Sequence, residues 1–186
     1  MIRRTLVALA PALILAAPVA AHAAAPAPAA KVNVTVGPEL ARKSRRYGER
    51  ELSYLTTDLA NTVRRAAAKG GFTRVDLVLE DAKPNRPTFA MLARETSLSL
   101  SSLSVGGAQI TGVAYGPNGA QPLKSSWYET DLRQEIGTST WTDASRAFQF
   151  LAASLSKGRV PDRFSPGTPG PERPPVDPRD PWTRDD

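Results

Sequence analysis

The chain has 186 residues, with 24 Lys and Arg against 18 Asp and Glu (formal charge +6), 17 Pro, one His and no Cys. The one His is His22, inside an N-terminal segment with the features of an export signal, so the processed chain is expected to hold neither His nor Cys. That composition removes Ser-His-Asp triads, cysteine nucleophiles, haem attachment through Cys, zinc fingers and disulfide frameworks.

Arg3 and Arg4 supply a short positive start, and Leu6 to Ala17 form an apolar stretch broken by Pro11. Ala21-His22-Ala23 then offers the small residues a signal peptidase accepts, so residues 1–23 read as a signal peptide cut between Ala23 and Ala24. The apolar stretch falls short of the roughly 20 residues that cross a bilayer, and no transmembrane segment is expected in the processed chain. Ala-, Arg- and Pro-rich usage suggests a GC-rich bacterium, hence a periplasmic or secreted protein. Residues 24–30 form an Ala/Pro linker.

Residues 31–158 are enough for one domain with a real core. Lys31 to Val36 alternates apolar and polar residues, the mark of a half-buried strand, and Gly37-Pro38 stops it. From Glu49 to Lys69, Leu52, Leu55, Leu59, Val63 and Ala67 recur at spacings of three and four, which predicts a long helix ended by Gly70-Gly71. Arg74 to Ala82 reads as a central strand, broken by Lys83-Pro-Asn-Arg-Pro87. Thr88 can cap a short helix through Phe89, Met91, Leu92 and Arg94.

In Ser97 to Val105, Leu98 and Leu100 alternate in one phase and Leu103 and Val105 in the other, which predicts a strand with a bulge near Ser101-Ser102. Ala108 to Tyr115 and Gln121 to Leu132 flank Gly116-Pro-Asn-Gly119 and form the clearest hairpin of the chain. A helix follows from about Trp141 to Lys157, with Thr140 and Asp143 placed like a capping box and Gly158 as the stop. Residues 159–186 hold eight Pro, five Arg and six Asp or Glu, and read as a disordered charged tail. The expected fold is α+β: a mostly antiparallel sheet with two main helices packed on one face, in the order strand, helix, strand, short helix, strand meander, helix.

Val75-Asp-Leu-Val-Leu-Glu-Asp81, Gly106-Gly107-Ala108 opening a hairpin and Trp141-Thr-Asp-Ala144 opening a helix resemble small domains of proteobacterial envelope proteins. The order of elements over residues 31–158 is also similar to the N-terminal α/β domain of TolB-type periplasmic proteins. The resemblance implies an accessory or interaction role. Many such envelope domains are lipoproteins, and the absence of Cys is a departure from them.

The densest charge is Arg42-Lys43-Ser44-Arg45-Arg46, and residues 31–158 hold 17 basic against 12 acidic residues. Arg42, Lys43, Arg45 and Arg46 are therefore candidates for binding an anionic envelope polymer, and an envelope protein is the other expected partner. Nucleic acid is not expected, because the segment is exported and lacks interleaved aromatics. Glu129 and Asp131, two apart on an expected strand, are the candidate acid and nucleophile or base of a polysaccharide hydrolase. Glu80 and Asp81 form a second pair. No metal and no cofactor are expected: only oxygen ligands are present, no Asp-x-Asp-x-Asp-Gly loop occurs, and the GxxxxGK[ST] and GxGxxG patterns are missing. An exported interaction module is the leading expectation, ahead of a carboxylate-dependent hydrolase.

Overall fold

The computed structural model describes residues 29–166 and Thr168. The expected signal peptide, most of the Ala/Pro linker and the tail beyond Thr168 lie outside the described residues. The elements in order are β1 (Lys31–Val36), α1 (Pro38–Arg42), α2 (Ser44–Tyr47), α3 (Glu49–Lys69), β2 (Arg74–Lys83), α4 (Phe89–Leu92), β3 (Gly107–Gly116), β4 (Gly119–Tyr128), a 3₁₀ helix (Leu132–Glu135) and α5 (Thr142–Leu155). No described helix is long and apolar enough to cross a membrane.

The strands lie in the order β1-β2-β3-β4, with β1 parallel to β2 and the other two pairings antiparallel. The fold is α+β, as the patterning predicts. α3 packs on β1 and β2, α5 on β3 and β4, and the two helices pack on each other. Period-two patterning sends Val75, Leu77 and Leu79 of β2, Ile110 and Ala114 of β3 and Leu123 of β4 into that helix-covered face, where all are buried. The stripe Leu52, Leu55, Leu59, Val63 and Ala67 of α3 meets Ala144, Ala147, Phe148, Leu151 and Leu155 of α5 and its sheet neighbours in one continuous core. Burial of these side chains, at roughly 25 cal/mol per Å² of apolar area, is the main favourable contribution.

The other sheet face is polar. Asn33 donates to Asp76 at 2.8 Å, Arg74 donates to Asp76 at 3.0 Å while its guanidinium lies 5.1 Å from the Tyr115 ring centre, and Thr111 donates to Glu80 at 2.5 Å. The Arg74 guanidinium and the Asn33 amide hold the Asp76 carboxyl below its ordinary range.

The two ends of the sheet differ. At one end the connections are tight: Gly70 follows α3 so closely against α5 that a Cβ there would overlap the Leu155 carbonyl. At the other end every long connection gathers: α1 and α2, the 84–106 segment with α4, the 129–141 segment with the 3₁₀ helix, and the N-termini of α3 and α5. These stand outside the C-terminal ends of the two parallel strands, where open α/β sheets form their crevices.

Three expectations change. Residues 97–105 form no strand; Ser99 N–H instead donates to Ser102 Oγ at 3.0 Å and Ser102 N–H to the Ser99 carbonyl at 3.0 Å, closing a serine turn. The two opposed alternations there are a coil that sends side chains to different neighbours. β4 ends at Tyr128, short of Leu132, because Asp131 caps the 3₁₀ helix through the Arg133 N–H at 3.0 Å. Past Gly158 the chain runs along the β4 edge: Lys124 N–H donates to the Pro161 carbonyl at 2.8 Å, and Ser165 N–H donates to Ser126 Oγ at 2.9 Å. The first part of the expected tail therefore covers an otherwise open strand edge.

Candidate functional site

The end carrying the long connections is built around three buried polar side chains, Asn85, Glu135 and Asp143. Asn85 follows β2, Glu135 closes the 3₁₀ helix and Asp143 lies in the first turn of α5, so one cluster ties three elements together. The Asn85 carboxamide donates to Glu135 and to Asp143 (2.5 Å to the latter), and its oxygen accepts from the Asp143 N–H at 3.0 Å. Asp143 also accepts from the Gly106 N–H at 3.1 Å and from Arg146 at 2.9 Å. Glu135 Oε2 accepts from Thr138 at 3.2 Å, and Glu135 Oε1 is buried with no hydrogen-bond partner among the described residues. Burial first, and then the facing Asp143 carboxylate, raise the Glu135 carboxyl above its ordinary value of 4.5. The cluster has no exposed atom to offer a substrate. It is a latch between loops.

None of these three residues is among the sequence candidates. Asp143 stands where a capping residue belongs, but Trp141 is the N-cap of α5, and Ser139 N–H donates to Thr142 Oγ1 at 2.9 Å beside it. Thr140 and Asp143 thus make no capping box. Asn85 reads as part of a strand breaker, and no pattern in the sequence singles out Glu135. A buried role for Asn85 and Glu135 is visible only when 85, 135 and 143 meet in space.

Over the latch, Arg86 bridges the two connections, donating through Nε to the Thr138 carbonyl at 2.6 Å and through Nη1 to the Leu100 carbonyl at 3.1 Å. Two small cavities flank it. One, of about 190 Å³, is walled by Tyr47, Pro84, Pro87, Met91, Leu98 and Leu103, with Arg46, Lys83 and Arg86 at its border. The other, of about 130 Å³, is formed by Phe89, Leu92 and Leu100 with Arg86, Thr88 and Thr140. Thr88 caps α4 as predicted, accepting from the Met91 N–H at 3.2 Å, and this cap turns Phe89 outward. Phe89 is 82% exposed, Leu100 71% and Ile136 77%, so three apolar side chains stand in solvent on the connections that Arg86 joins.

The basic segment is spread over α1 and α2 and is largely matched by acids. Arg42 pairs with Glu39, Lys43 with Asp81 at 2.9 Å, and Arg46 with Glu95 at 2.9 Å; Arg45 has no acidic partner among the described residues. Lys43 is mostly buried, so its charge serves the fold. Around it, Asp81 also accepts from the Tyr128 hydroxyl at 3.3 Å, and the Tyr128 ring lies over Gly107, where a Cβ would overlap it. Burial, and then the Asp81 carboxylate, push the Tyr128 phenol above its ordinary 10.0. A bulge in β2 between Leu79 and Asp81 points Glu80 and Asp81 to the same polar face. Trp127 takes the opposite face from Tyr128, with its ring 5.5 Å from that of Phe150.

Glu129 and Asp131 do not share a strand face, since β4 stops before them. Glu129 accepts from the Thr130 and Asp131 N–H groups at 2.8 and 3.1 Å, and Asp131 accepts from Arg133 Nε at 3.1 Å. The hydrogen bonds from Arg133 lower the Asp131 carboxyl below its ordinary 3.8. Each carboxylate is occupied by its own turn. Among the described residues no group of three or more acidic side chains could hold a metal ion.

These observations define a two-layer α+β domain whose long connections converge on one end, with small clefts and exposed apolar side chains there. No family model, curated protein or solved structure matches the chain.

Proposed function

We propose that the protein is an exported, non-enzymatic interaction module of the bacterial envelope that docks a partner protein through the end of the sheet carrying Phe89, Leu100 and Ile136. The observation that carries this reading is the exposure of those three apolar side chains on connections tied together by the Arg86 hydrogen bonds and the Asn85 latch. Exposed apolar groups on a rigid frame bind with little ordering cost. The signal-like residues 1–23 support export to the periplasm or beyond, and the sequence resemblance to small envelope domains, TolB-type ones included, supports an accessory role. Because Glu39, Asp81 and Glu95 match most of the 42–46 charge, a protein partner is favoured over an anionic polymer.

The test is capture of the tagged chain's partner from its own envelope, followed by titration of that purified partner. Burying a Phe or Leu side chain contributes roughly 1.5–3 kcal/mol, so Phe89→Ser with Leu100→Ser is expected to weaken binding more than about tenfold. The processed chain is expected outside the cytoplasm, beginning at Ala24. Unchanged affinity in the double variant, or an intact N-terminus on a cytoplasmic chain, overturns the proposal.

A further inference from the structure

We infer that the cleft beside Met91 is a docking site for the chain's own C-terminal segment, with Trp182 as its apolar anchor. The inference does not rest on the partner reading above. Four observations lead to it.

The first is size and lining. The cleft holds about 190 Å³ and is walled by Tyr47, Met91, Leu98 and Leu103 with two prolines. A dry cavity of about 150 Å³ accepts a benzene, so this one suits a single aromatic side chain, and the Met91 thioether is a favourable neighbour for a ring.

The second is charge. Lys83 and Arg86 stand at the border of the cleft with no acidic partner among the described residues, whereas Arg46 is matched by Glu95. An occupant with carboxylates beside its apolar anchor is therefore favoured. The sequence after Thr168 contains one aromatic residue, Trp182, and it sits in Asp-Pro-Trp-Thr-Arg-Asp-Asp, residues 180–186, with three Asp against one Arg.

The third is direction. Asp162 is bridged in parallel to Lys124, and Ser165 and Thr168 bond to Ser126. The chain thus advances along β4 toward Tyr128. Tyr128, Gly107 and Lys83 stand in register across three strands, so the described chain leads to the end of the sheet where the cleft opens.

The fourth is reach. Adjacent strands are about 4.8 Å apart, which puts Lys83 about 10 Å across the sheet from Tyr128. The segment between Thr168 and Trp182 includes Pro169, Pro171, Pro174, Pro175, Pro178 and Pro181, and a Pro-rich segment covers about 3.1 Å per residue. Reach is ample.

The chain's two methionines are Met1 and Met91, so a methionine-methyl NMR spectrum of the full chain contains one reporter inside the cleft. Its signal is identified by its loss in Met91→Leu. We expect Trp182→Ala to displace the Met91 resonance, and added salt to move the parent signal toward that of Trp182→Ala. Because the chain has no Cys, a nitroxide on Thr183→Cys is unique, and it is expected to broaden the Met91 signal away. A Met91 resonance unmoved by Trp182→Ala and at full intensity beside the nitroxide overturns the inference. So does broadening that appears only when a nitroxide-bearing chain is mixed with a separately labelled one, which assigns the cleft to the segment of a second copy.

Discussion

Asn85 shows how one side chain can decide the shape of a whole end of the molecule. A carboxamide has two N–H donors and one acceptor oxygen, and here its amide nitrogen donates to the two facing carboxylates while the oxygen takes the Asp143 N–H. Asp143 collects donors from Asn85, Gly106 and Arg146, whereas one buried Glu135 oxygen has no partner among the described residues. Burial and the facing Asp143 side chain therefore push the Glu135 carboxyl toward its neutral form. Its folded-state pKa is raised above the unfolded one. The stability it contributes is complete below the ordinary value of 4.5 and is lost as pH rises through the folded value. Glu135→Gln keeps the shape and neutral charge at every pH. Compared by urea unfolding, the variant is expected to match the parent near pH 4 and to exceed it at about pH 8. Parallel pH profiles would show that Glu135 is ionised in the fold.

At the scale of elements, the seam between α3 and α5 carries the domain. Polar contacts pin it along its length: Trp141 Nε1 donates to Glu51 at 2.6 Å, and Ser145 donates to Asp58 at 2.7 Å. The Tyr47 and Trp141 rings meet edge to face at 5.6 Å, locking α2 onto the start of α5. At the far end the seam closes on Gly70, whose missing Cβ makes room for the Leu155 carbonyl. Backbone cannot yield as a flexible side chain does, so Gly70→Ala must splay the two helices. Overpacking of this kind costs about 1–3 kcal/mol. A lower urea midpoint with an unchanged slope is the expected result.

Over the whole molecule, one end is sealed by short turns while the other bears clefts, exposed apolar groups and every long connection. The sheet has two edges, and residues 160–166 cover the β4 edge through Lys124 and Ser126 while Val160 packs against the core. An uncovered strand edge offers a row of unpaired N–H and C=O groups to other chains. A chain ending at Gly158 is therefore expected to associate as its concentration rises, by light scattering, where the full chain does not. A truncated chain that stays monomeric would show that the cover is dispensable.

Much of the scaffold is legible in the sequence, because it depends on local periodicity. The stripe from Leu52 to Ala67 marked α3 at its true bounds, the alternation at Lys31–Val36 marked β1, and Gly116-Pro-Asn-Gly119 marked the hairpin. Local pattern misled where opposed signals shared a segment, as at Ser97–Val105, and where a polar residue could serve either a cap or the interior, as at Asp143. The latch was not legible, since Asn85, Glu135 and Asp143 are separated by long stretches of chain and each is ordinary alone. Sequence by itself determined the two main helices, β1, β2 and the turn between β3 and β4, all consequences of residue type and spacing. Only the tertiary structure decided that Asp143 turns inward, that Glu129 and Asp131 part, that acids match most of the basic run, and that one end is left open. Those outcomes depend on which distant residues become neighbours, and composition and period carry no record of that.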